Sequence, residues 1–156
     1  MGLSQREFLA LASLVPLEAR ETERLDGDWT LKQIVGHLSD YDGMGIVALK
    51  AVAAERDPIY NVSVDDFDNY NIERAIHWDA TTWSDVWATY MATRRALLLI
   101  AETLADEALA RPFPAPWPGI TTACGYLLDM AQHEREHADS LRRALGISPL
   151  PRRLGR

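Results

Sequence analysis

Hydrophobic positions recur at helical spacing in four long stretches of the chain, separated by turn-forming or polar segments. In the first, Phe8, Leu11, Ala12, Val15 and Ala19 keep the period of one helix face, and the spacing predicts a helix from about residue 4 to 24. Ser4 followed by Glu7 has the hydroxyl–carboxylate pattern of a helix start. Pro16 lacks an N–H and interrupts the stretch, and Leu25-Asp26-Gly27-Asp28 reads as its stop and a turn. The second stretch opens at Trp29-Thr30, with Gln33 completing a capping pattern, and carries Leu31, Ile34, Val35, Leu38, Leu49 and Val52 to about Ala54. Residues 55–64 read as a loop. Asp65 or Asp66 then caps a shorter, more polar helix over Phe67, Tyr70, Asn71, Arg74, Ala75 and Ile76, which suits a crossover laid across the mouth of a bundle.

The third long stretch starts at Thr82 with Asp85 in the capping place. Trp83, Val86, Trp87, Tyr90, Met91, Leu97, Leu98, Ile100, Ala101 and Leu104 make it apolar on more than one side, which predicts deep burial. Residues 106–120 include Pro112, Pro114, Pro116 and Pro118, which exclude a regular helix and favour a stiff, extended connection. The last stretch runs from about Thr121 to Leu145. Helical geometry gives it an aliphatic stripe of Cys124, Leu127, Leu128, Ala131, Ala138, Leu141 and Leu145. A second stripe of Tyr126, Met130, His133 and His137 lies roughly 100° round, leaving Glu134, Glu136 and Arg143 at the surface or its margins. No segment reads as a strand and none repeats. The expectation is an all-α fold, a four-helix bundle with a short crossover helix, in a single domain whose core covers about residues 4–146 and leaves a short basic tail, 147–156.

Composition narrows the classes of partner. Hydrophobic residues make up 47% of the 156 and charged residues 25%, as in a soluble globular domain with a full core. A formal charge of −7 argues against a nucleic-acid surface, which needs clustered Lys and Arg. Cys124 is the only cysteine, so no intrachain disulfide forms, and its place on the aliphatic stripe predicts a small buried side chain, not a nucleophile. The first residues lack a signal-peptide pattern and no apolar run is long enough to span a membrane, so the default expectation is a cytoplasmic protein.

The candidate chemistry lies in the last stretch. His133 and His137, four residues apart, stack on one helix face and can close on one ion, but a catalytic zinc-type centre takes three protein ligands and keeps one position open. Two histidines compete for third place. His37 sits beside Tyr41 and Met44 on the shoulder of the second helix, a setting that matches Tyr126 and Met130 beside the histidine pair. His77 falls at a helix end, where an imidazole more often bonds terminal carbonyls, so His37 is favoured. Two helices that each present His, Tyr and Met can enclose one pocket, lined by Tyr41, Met44, Tyr126 and Met130, with Asn71 or Asn69 as a further wall residue. Phe113 and Trp117 either cover that pocket or wedge the bundle closed. Asp40, Asp129 or Glu134 is placed to orient a ligand imidazole.

A Trp-Thr helix start followed by His37-Leu38, a short central Asp/Asn-bearing helix, an Arg-containing apolar helix and a final His133-x-x-x-His137 together resemble the DinB/YfiT-like superfamily over about residues 4–146. The resemblance implies a four-helix bundle, often homodimeric, whose three histidines bind a divalent metal (zinc, nickel, manganese or iron). It places His37, His133 and His137 as the ligands, leaves His77 without a counterpart, and implies no nucleic-acid binding. Branches of that superfamily are transferases or isomerases dependent on low-molecular-weight thiols such as bacillithiol or mycothiol, and others hydrolyse. The leading expectation is therefore a divalent-metal-dependent thiol S-transferase or related hydrolase using a metal-activated thiolate or water. The alternative is a non-catalytic protein that binds or sequesters a small ligand in the same pocket. In a third reading the ion is structural, and a fourth protein ligand would mark it.

Overall fold

The computed structural model describes residues 2–60 and 67–148. The framework is all-helical. Helix α1 (Gly2–Leu14) ends before Pro16, whose extended backbone starts a single 3-10 turn, Leu17–Ala19. The helix expected to reach residue 24 therefore stops ten residues short of it, as a proline without an N–H dictates. Ser4 lies inside α1, and its hydroxyl reaches across the bundle instead of capping.

Strand β1 (Arg24–Asp26) then pairs antiparallel with β2 (Trp29–Thr30) across Gly27, whose φ of +55° suits glycine. Thr30 caps α2 (Leu31–Ala53) in a complete capping box with Gln33, as its sequence pattern predicts. Helix α3 (Phe67–Asp79) is the crossover; its proposed caps, Asp65 and Asp66, and the loop residues 61–64 lie outside the described residues, as do 149–156 of the basic tail. Helix α4 (Trp83–Thr103) is capped by the Thr82 hydroxyl.

The proline-rich connection holds more structure than an extended linker. A short helix, α5 (Asp106–Ala110), precedes strand β3 (Pro112–Pro114), which pairs antiparallel with β4 (Ile120–Thr122). Phe113, between two prolines of β3, points into the core and is almost wholly buried. Thr122 caps the last helix, α6 (Ala123–Ala144). The two short ribbons correct the expectation of no strands: prolines and a Gly turn end helices, and the freed backbone pairs locally.

Helix α2 packs against α3, α4 and α6, and α1 packs against α6. Two apolar clusters fill the interior. One gathers Phe8, Leu11, Leu31, Ile34, Leu38, Val86, Tyr90, Ala138 and Leu141. The other gathers Met44, Ala48, Leu49, Leu97, Phe113, Ala123, Tyr126 and Met130. Along each main helix a charged residue falls between the two: Asp42 on α2, Arg94 on α4 and Glu134 on α6, all buried. Arg94 donates to Asp42 Oδ2 at 2.7 Å and to Glu134 Oε1 at 2.6 Å, while Tyr90 and Ser4 donate to Glu134 at 2.6 and 2.7 Å.

That belt corrects two expectations from periodicity. The seam of α6 is Ala123, Tyr126, Met130, Glu134, Ala138 and Leu141; Cys124 is exposed and Leu128 is 65% exposed. The helix is thus turned so that the stripe bearing Tyr126 and Met130 faces inward, with Glu134 fully buried because three donors satisfy it. Similarly, α4 buries one face only, Val86, Tyr90, Arg94 and Leu97, and leaves Met91 and Leu99 exposed.

Candidate metal centre

Three imidazoles meet beside the charged belt. His37 comes from the second turn of α2, four residues after buried Gln33 and four before Tyr41; His133 and His137 come from successive turns of α6. His133 Nε2 is 2.9 Å from His37 Nε2 and 3.1 Å from His137 Nε2, and the ligand atoms of all three lie within 4.8 Å of one another. His77 is exposed on α3, its ring 4.9 Å from Trp78, and takes no part in the cluster.

The donor set fits a divalent ion. A tetrahedral centre with ligand nitrogens at about 2.0–2.1 Å holds them roughly 3.3 Å apart, close to the spacing here. Burial holds His37 well below the usual imidazole range, with His133 and His137 adding repulsion. Burial likewise pushes His133 down to about 3, helped by His137 and Arg94 against the opposing pull of Asp26. Both rings are therefore neutral near pH 7. His137 Nδ1 is 2.7 Å from Asp26 Oδ2; a carboxylate there fixes the proton on Nδ1 and turns the Nε2 lone pair toward the other two rings. The three rings thus bring nitrogen atoms within reach of one shared position, a spacing that suits a cation.

Asp26 is the residue that sequence reasoning missed. The sequence reads there as a turn, and only the β1–β2 ribbon brings it against α6. Burial alone would raise its carboxyl, but hydrogen bonds from His137 and Ser140, with the charges of His137 and Arg143, hold it below the ordinary value. The three carboxylates considered for that role are elsewhere. Asp40 accepts both Arg74 nitrogens, at 3.0 and 2.7 Å, and the Trp78 indole N–H at 2.8 Å; Glu134 belongs to the Arg94 belt; Asp129 lines a cavity wall. His37 is held by packing, edge-on to Trp29 and Tyr41 with ring centroids 4.8 Å away in each case.

Two cavities share His37, Asn71 and His133 in their walls. The larger, about 520 Å³, continues past His137 to Asp26, Trp29, Glu136, Asp139, Ser140 and Arg143. The smaller, about 380 Å³, is completed by Tyr41, Trp117, Asp129 and Met130. Of the expected wall residues, Tyr41, Met130 and Asn71 therefore border the histidines directly. Met44 lines a neighbouring cavity with Asp40, Tyr60, Tyr70 and Arg74. Tyr126 is wholly buried, stacked on Trp117, and donates to the Tyr41 carbonyl at 2.6 Å, which props the second cavity from beneath. Burial, with Tyr70 and Asp40, raises the Tyr41 hydroxyl despite a hydrogen bond from Asn71, so it stays protonated at neutral pH. Asn71 Oδ1 is buried and has no partner among the described residues.

The same architecture occurs in a crystal structure of the mycothiol-dependent maleylpyruvate isomerase, with a TM-score of 0.75 at 13% sequence identity, and in one of a single-site mutant of that enzyme, with a TM-score of 0.71 at 15%. Each match covers 89% of this chain and 56% of the isomerase, so the chain spans little more than half the length of these structural relatives. No curated protein matches it in sequence. The sequence profile of the DinB superfamily matches residues 2–140, and the chain belongs to that superfamily.

Proposed function

We propose that this protein is a divalent-metal-dependent enzyme that transfers a small-molecule thiol to, or through, an electrophilic substrate, with His37, His133 and His137 as the metal ligands. The observation that carries the reading is the convergence of three imidazole nitrogens on a wall shared by two cavities, which leaves room for non-protein ligands beside them. Membership of the superfamily and likeness to a thiol-dependent isomerase support it.

An ion bound there would supply the electrostatic means to lower the pKa of a thiol, or of water for a related hydrolysis, to near neutrality. The chain's own residues do the rest. Asp26 fixes the His137 tautomer. Tyr41, held protonated, is a donor for an oxygen that gains negative charge on the substrate. Met130 and Trp117 offer an apolar wall for the substrate's carbon skeleton. Zinc or nickel is the ion we assign, with manganese or iron as alternatives, and a homodimer is the assembly we assign; both rest on membership of the superfamily.

The test is elemental analysis of untagged protein, together with turnover of an electrophile panel against several thiols. We expect stoichiometric metal, lost in His37→Ala and kept in His77→Ala, and thiol-dependent turnover. Metal retained in His37→Ala would remove His37 from the ligand set. Tight binding of panel members without turnover would favour the protein as a ligand-sequestering module.

A further inference from the structure

The larger cavity differs from the smaller in its charge. Asp26, Glu136 and Asp139 set three carboxylates against one guanidinium, Arg143, and that guanidinium already donates to the Ser140 hydroxyl at 2.8 Å. Glu136 and Asp139 bring carboxylates to its wall, one Glu136 oxygen accepting from Gln132 at 2.9 Å, and Asn71, which borders both cavities, has an Oδ1 with no partner among the described residues. An acceptor left in this state gains from a ligand that brings N–H or O–H groups, and loses nothing it already has. A carboxylate-bearing ligand meets the opposite case, acceptor against acceptor and negative against negative.

The metal's charge does not reverse the balance. A divalent ion with a bound thiolate carries one net positive charge, against two net negative charges among the side chains of the cavity, so the assembly remains one charge negative. A cationic tail neutralises it, whereas an anionic tail doubles the excess.

Resting on the thiol-transfer reading above, we propose that the larger cavity receives the tail of the thiol and selects tails that are cationic or neutral and rich in donors over anionic ones. The smaller cavity, walled by Tyr41, Trp117 and Met130, is then left for the electrophile.

The experiment uses the full chain loaded with cobalt(II), with binding read by calorimetry and by the thiolate-to-cobalt absorption band. The probes are cysteamine, 2-mercaptoethanol and 3-mercaptopropionate, close in size and differing in tail charge. Because these thiols differ in their own acidity, the readout is the change in their affinity ratio between proteins. In Glu136→Gln/Asp139→Asn the preference for cysteamine over 3-mercaptopropionate should fall by about three- to tenfold at low ionic strength, and less at high salt. Glu136 is exposed and Asp139 half-buried, so the variant folds normally, which circular dichroism checks. Asp129→Asn, in the wall of the other cavity, should keep the ratio of the parent. A ratio unchanged in the double variant, or changed equally by Asp129→Asn, overturns the assignment of the larger cavity while leaving thiol activation standing. Absence of the thiolate band with all three probes overturns the thiol reading, and this inference with it.

Discussion

Asp26 and His137 are joined by a 2.7 Å hydrogen bond between a two-stranded ribbon and the last helix. It is the only contact among the described residues in which a carboxylate orients one of the three converging imidazoles. Outer carboxylates of this kind typically account for ten- to a hundredfold in metal affinity. Asp26→Ala should weaken metal binding by about that factor, measured by competition with a chromophoric chelator, with little change in the thermal melt of the metal-free protein. Asp26→Asn retains an acceptor for Nδ1–H and should lose less. Equal affinity in Asp26→Ala and the parent would mean that packing alone holds His137.

Gly36 on α2 faces the Trp78 indole of α3 so closely that an added Cβ would overlap three ring atoms. Trp78 is pinned in turn by its N–H to Asp40, and α3 carries Asn71 into the cavity walls. Gly36→Ala gains roughly 1 kcal/mol in helix propensity but overpacks against a rigid ring, a cost of about 1–3 kcal/mol. A net loss of stability is expected, read as a lower urea midpoint, together with a shift in tryptophan emission. A midpoint at or above that of the parent would show that α3 can move away freely.

Arg94 binds two buried carboxylates at once, and one oxygen of Asp42 has no partner among the described residues. Burial pushes the Asp42 carboxyl up to about 6, outweighing the attraction of Arg94, with Glu134 adding to the rise. Removing the cation leaves two uncompensated acids in the core, so Arg94→Met should cost about 3–5 kcal/mol in chemical denaturation. Arg94→Met/Glu134→Gln, which removes one of those acids, should recover part of the loss. Near-parent stability of Arg94→Met would show that water or proton uptake satisfies the site without Arg94.

The legible part of this chain was what depends on local pattern. The Thr30–Gln33 capping box, the apolar face of α2, the order of the main helices and the His133/His137 pair follow from spacing, while His37 joins that pair through its matching Tyr and Met neighbours and the family resemblance. What stayed hidden depends on distant partners. Glu134 reads as surface until Ser4, Tyr90 and Arg94, from two other helices, satisfy it, and that one burial rotates α6 so that Cys124 and Leu128 face outward. Arg94 likewise concealed the seam of α4. Asp26 reads as part of a turn because nothing nearby in sequence shows that its ribbon folds against α6.

The neutrality of the buried imidazoles makes the metal-free protein sensitive to acid. His133 titrates at about 3 in the folded chain and His37 well below 6.5, the ordinary value that both regain on unfolding. Above pH 6.5 both are neutral in either state and the fold bears no penalty. As pH falls below that value the unfolded chain takes up protons that the folded chain refuses, so stability is lost between pH 6.5 and about 3. Each group contributes up to roughly 1.4 kcal/mol per pH unit within that window. Urea denaturation of the metal-free protein between pH 7 and 4 should therefore show a steeper decline in the parent than in His133→Gln, which lacks one of the titrating rings. Metal loading should steepen the decline further, since protons then compete with the ion for the same nitrogens. Parallel declines in the metal-free parent and His133→Gln would mean that His133 accepts a proton in the folded state as readily as in water, and would remove the basis for reading the site as a set of neutral ligands.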